Sequence, residues 1–338
     1  MKTKVFKVLR YLAFLALGIG LLSIALRGVS MEELTQKLKM ANFLWVAVAL
    51  AAAVVGYMSR AYRWKLLIRP LNFNPSFWNA FYALMLGYTA NFAFPRIGEI
   101  TRCGALKKSD KIPVDSLLGT VIIERAIDML VLLIALIIIF FAKMDFFGQF
   151  LTKKIFIPIL NKIGNIFHFS LIQWMLFLSA LIATIFFIRF LNRKFSHNPF
   201  IKKLKEIYRG VISGLKTIAH MQDRWYFVLH TILIWVMYFL MTYVLVFALP
   251  STSSLQPIDG LFLLVVGGLG MAAPVQGGIG AFHVFIKLGL LLYGIPETDA
   301  VAYAVISHES QAVLVILLGA LSFTMLMVQR RKQKLQNT

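Results

Sequence analysis

Long apolar runs separated by short basic ones recur along the whole chain, at the period expected of membrane-spanning helices. Runs at residues 11–26, 43–59, 116–142, 171–190, 226–249 and 300–328 predict crossings. Lys2, Lys4, Lys7 and Arg10 precede the first run, and Arg330, Arg331, Lys332 and Lys334 follow the last. Basic flanks stay on the cytoplasmic side of a bilayer, so both termini are expected there. The basic start and apolar stretch resemble a signal peptide. No small-residue cleavage pattern precedes Arg27, so the run reads as a retained first helix.

Between these runs lie amphipathic stretches. Met31, Leu34, Leu38 and Ala41 recur at helical spacing within residues 27–42, which predicts an external helix lying along the membrane surface. Arg60, Arg63, Lys65 and Arg69 follow the second run and read as a cytoplasmic flank. Residues 143–170 are expected outside the cell. Residues 192–225 carry Ile201, Leu204, Ile207 and Val211 at helical spacing and are expected as a cytoplasmic amphipathic helix.

Two apolar segments break this rhythm. Residues 77–94 are followed by Pro95, Arg96, Gly98 and Arg102, and basic residues flank the segment on both sides. That pattern fits a re-entrant hairpin better than a crossing. Residues 259–293 are interrupted by Pro274, Gly277, Gly278 and Gly280, which predicts a second hairpin entered from the opposite face. Paired interrupted segments in two halves, here residues 1–142 and 170–330, point to inverted repeats with a binding site where the breaks meet. The fold class expected is therefore an all-α polytopic membrane protein forming a single domain over residues 1–338. Close helix packing is the competing explanation for the glycines.

Ionisable groups near these breaks are the candidate chemistry, because charge at membrane depth is costly. The first break supplies Asn91, Arg96, Glu99 and Arg102, and the next span carries Glu124, Arg125 and Asp128. Glu124 and Asp128 stand at i and i+4 on one helix face. A shared polar cavity is expected, joined by Gln276, His283, His308 and Glu309 of the second half. Half-helix ends and forked guanidinium donors suit a phosphate. The alternative is an ion-paired cluster that only clamps neighbouring helices.

Composition narrows the choice. Hydrophobic residues make up 59% of 338, and the formal net charge is +21. In a membrane protein that excess is the positive-inside signature with attraction to anionic lipid head groups, so no nucleic-acid partner is expected. The single cysteine, Cys103, excludes an intrachain disulfide. His283, His308 and Glu309 show no metal-ligand spacing, and neither a metal nor a cofactor is expected.

The motifs N-x-x-x-P-R-x-G-E-x-x-R from Asn91 to Arg102, E-R-x-x-D from Glu124 to Asp128, and P-x-x-G-G-x-G from Pro274 to Gly280 occur in that order. The chain thereby resembles the lysylphosphatidylglycerol synthase transmembrane family, the flippase-like membrane domain of multiple peptide resistance factors. The resemblance implies an inner-membrane protein of two pseudo-symmetric repeats that handles an amphipathic lipid. It also implies a cavity role for Arg96, Glu99, Arg102, Glu124, Arg125 and Asp128. Family members often carry an acidic residue where this chain has His283, which argues against a cationic aminoacyl-lipid cargo. The soluble transferase domain of the full-length factors has no counterpart in these residues, so no synthase activity is expected.

Three functions follow for testing. The first is a flippase for a phospholipid or lipid-linked intermediate. The second is a membrane-embedded lipid-phosphate transferase or hydrolase using Glu99 or Glu124 as general base. The third is an accessory protein of cell-envelope synthesis that transports nothing.

Overall fold

The computed structural model describes residues 2–143 and 221–336. The expected loop at 143–170, the crossing at 171–190 and nearly all of the amphipathic stretch 192–225 lie outside these residues. Helices are labelled here in chain order among the described residues. The first half contains α1 (Lys2–Leu26), α2 (Met31–Met40), α3 (Phe43–Ile68), α4 (Phe77–Ala93), α5 (Gly98–Asp110) and α6 (Val114–Ala142). The second contains α7 (Arg224–Tyr243), α8 (Pro257–Ala272), α9 (Ala281–Leu291) and α10 (Glu297–Gln336). No strand occurs among the described residues. The chain divides into two compact units, Met1–Arg125 with Ile218–Thr338, and Ala126–Thr217. Of the second unit, only the later part of α6 and Lys143 are described.

Local chemistry explains where the helices start. The Ser30 hydroxyl accepts from the Glu33 N–H, Asn42 Oδ1 from the Leu44 N–H, and the Ser76 hydroxyl from the Asn79 N–H. Each satisfies one of the unpaired donors at a helix N-terminus. At α8, Pro257 occupies the first turn, and the Asp259 carboxylate accepts from the Gln256 N–H in a capping box. Four helical stretches among the described residues are long and apolar enough to cross a membrane: Phe43–Leu71, Val114–Ala142, Arg224–Ala248 and Glu297–Arg331. Tyr11–Leu26 and Met31–Met40 form a fifth candidate, bent by 85°. Of the expected apolar face, Leu34 of α2 and Ala41 just past its end are buried, whereas Met31 stays exposed.

One boundary differs from expectation. The second apolar run does not end at Ser59: α3 continues as a single helix to Ile68, carrying Arg60 and Arg63 into the interior at 5% and 0% exposure. Leu66, Leu67 and Ile68 beyond them are also buried, so the charges interrupt an apolar face and do not terminate it.

Both broken segments form helical hairpins. In the first, the Asp110 carboxylate at the end of α5 accepts from the Ser76 N–H and Asn79 Nδ2 at the start of α4, so the two arms run antiparallel. At the closed end, Asn91 Oδ1 accepts from the Gly98 N–H at 2.8 Å and caps α5. A Cβ on Gly98 would strike the Gly87 carbonyl and the Asn91 amide, so only glycine lets the arms come this close. In the second hairpin, α8 packs on α9 across a turn in which Gly277, Gly278 and Gly280 take φ of 57°, 80° and 77°. These left-handed values explain why glycine is dense there. A core of Trp64, Ile68, Ala83, Cys103, Leu106, Leu117 and Val121 ties α3, α4, α5 and α6 together within the first unit. Lys287 of α9 holds the end of α1 by donating to the Ala25 and Arg27 carbonyls at 3.1 and 2.9 Å, and pairs with Glu297 at 2.6 Å.

Gly98→Val is expected to lower the melting temperature of the detergent-solubilised protein, because overpacking a tight contact costs about 1–3 kcal/mol. An unchanged melting curve would mean that the arms of the first hairpin are not in contact at Gly98.

Candidate functional site

The most concentrated chemistry lies around Glu124, whose side chain is completely buried on α6. Arg60 and Arg63 stand one helical turn apart on α3 and both face it. Arg60 Nη2 donates to Glu124 Oε1 at 2.5 Å, and Arg63 Nη2 lies 3.8 Å from the same oxygen. From α5, Arg102 Nη1 approaches Oε2 at 3.0 Å, off the direction of a hydrogen bond. The Arg102 guanidinium also stacks on Trp64, 4.6 Å from the ring centre, while Trp64 Nε1 donates to Thr120 Oγ1. One carboxylate thus joins three helices. A second pair, Arg125 to Glu99 at 2.7 Å, joins α6 to α5 nearer the surface, with half the arginine side chain exposed.

In front of this cluster is a cavity of about 650 Å³ within the first unit. Both hairpins line it, together with α3, α6, α7 and α10. Its polar wall carries Arg60, Arg96, Arg125, Glu99, Asn91, Tyr57 and Tyr238. Its apolar wall is built from Met241, Leu263, Leu264, Phe282, Ala312 and Val315. Arg60 belongs to both structures: Nη2 holds Glu124, and Nη1 donates to the Tyr238 hydroxyl at 2.9 Å. The Tyr57 hydroxyl donates to Gln311 Oε1 at 3.0 Å.

The hairpin tips touch. Arg96, in the left-handed region at φ 61°, donates from Nη2 to the Ala272 carbonyl at 2.9 Å. A cation there complements the negative end of α8. Phe92 packs against Gly277, and His308 Nε2 of α10 lies 2.9 Å from the Gly277 carbonyl.

Of the residues expected at the cavity, Asn91, Arg96, Glu99, Arg125 and His308 line it, as do Gly277 and Gly278 of the expected helix breaks. The others lie elsewhere. Arg102 and Glu124 are buried behind the polar wall, because a carboxylate among three guanidiniums is satisfied without solvent. Asp128 is half-buried one turn further along α6 and does not line the cavity. Gln276 is buried, with Nε2 reaching the Tyr11 carbonyl at 3.4 Å. His283 is buried beside Glu309, whose carboxylate is half-exposed. Gly98 begins α5 after a break at residues 94–97, and Gly280 packs on α1. Arg60, Arg63, Tyr57, Tyr238 and Gln311 were not expected at the site. For the two arginines the available signal was the apolar sequence resuming at Leu66.

Helices of this length and hydropathy, arranged around a buried ionic cluster, define an all-α integral membrane protein. It belongs to the family described as lysylphosphatidylglycerol synthase TM region, which matches residues 11–319. It is also similar to a UPF0104 membrane protein of Methanocaldococcus jannaschii, 22% identical over 324 residues that cover 90% of this chain and 91% of that protein. No solved structure matches the chain.

The two ion pairs between α5 and α6 should respond very differently to mutation. Glu124→Gln leaves buried guanidiniums without their counter-charge and is expected to destabilise the fold by about 3–5 kcal/mol. Glu99→Gln removes a partly exposed pair and is expected to cost less than about 1 kcal/mol. Thermal unfolding in detergent measures both, and equal losses would contradict this burial pattern.

Proposed function

We propose that this protein moves a phosphate-bearing membrane lipid, a phospholipid or a lipid-linked intermediate, from one leaflet to the other through the cavity between its hairpins. The observation that carries this reading is the pairing of a guanidinium wall, Arg60, Arg96 and Arg125, with an apolar wall in one space of lipid-head-group size. Arginine forks suit phosphate oxygens, and an apolar face admits the first carbons of an acyl or prenyl chain. The hairpins enter the bilayer from opposite faces as pseudo-symmetric repeats, and the basic ends of α1 and α10 lie on the cytoplasmic side of the inner membrane. Membership of a family named for a lipid synthase's membrane region supports a lipid cargo.

The enzymatic alternative needs a free carboxylate as base. Glu99 and Glu124 are both paired with guanidiniums, so neither carboxylate is free to serve as that base, and transport is the better-supported reading. Nor is the accessory role favoured, since it gives no use for a cationic cavity.

The test is translocation of a head-group-labelled phosphatidylglycerol in reconstituted vesicles, read by quenching from outside. Arg96→Ala and Arg125→Ala are expected to slow it at least about tenfold, the loss of roughly one charge-assisted contact. Lys107→Ala removes an exposed charge outside the cavity and should leave the rate intact. Equal rates in all three variants would exclude the cavity as the path. Recovery of a chemically altered lipid would replace transport with catalysis.

A further inference from the structure

We propose that His283, His308 and Glu309 form a binding site for a single transition-metal cation of the zinc type. The proposal does not depend on the lipid reading. His283 comes from the first turn of α9, just past the glycine break, and the other two from α10. His308 Nδ1 lies 2.9 Å from Glu309 Oε1, and His283 Nε2 lies 3.5 Å from the same oxygen. The ring centres are 4.9 Å apart, and the three ligand atoms all lie within 4.8 Å of one another.

Hydrogen bonding at the far side of His308 makes this arrangement informative. Its Nε2 faces the Gly277 carbonyl at 2.9 Å. A carbonyl oxygen only accepts, so Nε2 carries the proton. A neutral ring so oriented would present the Nδ1 lone pair to a carboxylate oxygen, and two acceptors at 2.9 Å repel unless a positive charge lies between them. A carbonyl that fixes the imidazole tautomer is the usual outer-shell support of a metal-binding histidine. A second proton on His308 would satisfy that one contact. A metal ion engages both imidazole lone pairs and the carboxylate together, which suits a cluster in which His283 turns to the same oxygen.

The spacing fits. Ligand bonds of about 2.0–2.1 Å place tetrahedral donor atoms roughly 3.3 Å apart. The observed separations of 2.9 and 3.5 Å lie on either side of that value. Two imidazoles favour a zinc-like ion over magnesium or calcium. Phe92 and Phe282 flank the histidines with apolar rings, while the half-exposed Glu309 leaves an entry route and an open coordination position. Bound there, the ion would fasten α9 to α10 beside the break, with His308 also on the cavity wall.

Cobalt(II) is the probe, because its visible absorption reports coordination by nitrogen and oxygen independently of transport. The full-length, metal-stripped protein in detergent is expected to take up one Co²⁺ per chain with a tetrahedral-type spectrum that Zn²⁺ abolishes. His283→Ala and His308→Ala should each weaken uptake at least about tenfold, since even outer-shell partners matter by 10–100-fold. Glu309→Gln keeps the shape of a half-exposed side chain and gives the same result should a histidine variant fail to fold. No stoichiometric Co²⁺ uptake, or equal uptake by wild type and Glu309→Gln, would overturn the proposal and leave a shared proton between His308 and Glu309.

Discussion

A carboxylate with no exposed surface, Glu124, meets guanidinium groups from two other helices, and the polar half of the molecule is arranged around that contact. Withdrawing such charges from water costs several kcal/mol per ion, so the contact persists only where geometry returns most of that energy. Here α3 brings two arginines on one face, α5 brings a third stacked on Trp64, and α6 brings the acid. The three helices are held at one depth, where their apolar neighbours form the core of the first unit.

Cavity and cluster are linked through Arg60, which has one nitrogen on the buried acid and another on Tyr238 at the cavity. The cationic wall is therefore anchored in the core. Arg96 approaches from the opposite direction, reaching across the hairpin tips to the end of α8. The glycine turn and His308 complete the junction. A head group in this space would meet donors already oriented by protein contacts, which reduces the ordering cost of binding.

Much of this was legible in the residues alone. Proline and glycine density located both breaks, because few other residues permit left-handed backbone or a missing donor at such points. The motif from Asn91 to Arg102 and the Glu124–Arg125 pair meet through Arg102–Glu124 and Glu99–Arg125. What the local pattern did not show was which of the charges are buried. Arg60 and Arg63 read as a cytoplasmic flank because an arginine cluster after an apolar run normally is one; their burial on Glu124 was not legible, since no local pattern encodes a partner on a distant helix. The same limit turned Arg102 and Glu124 into expected cavity residues when they satisfy each other behind it. His283 and His308 showed no ligand spacing because packing of α9 on α10, not sequence separation, brings them together.

The most direct measurement is a cryo-electron-microscopy map of the full-length protein in nanodiscs of anionic phospholipid. Head-group density is expected within hydrogen-bond reach of Arg60, Arg96 and Arg125, with Glu124 dry and enclosed by arginines behind it. A cavity holding water alone, with lipid confined to the outer surface and Glu124 open to solvent, would contradict it.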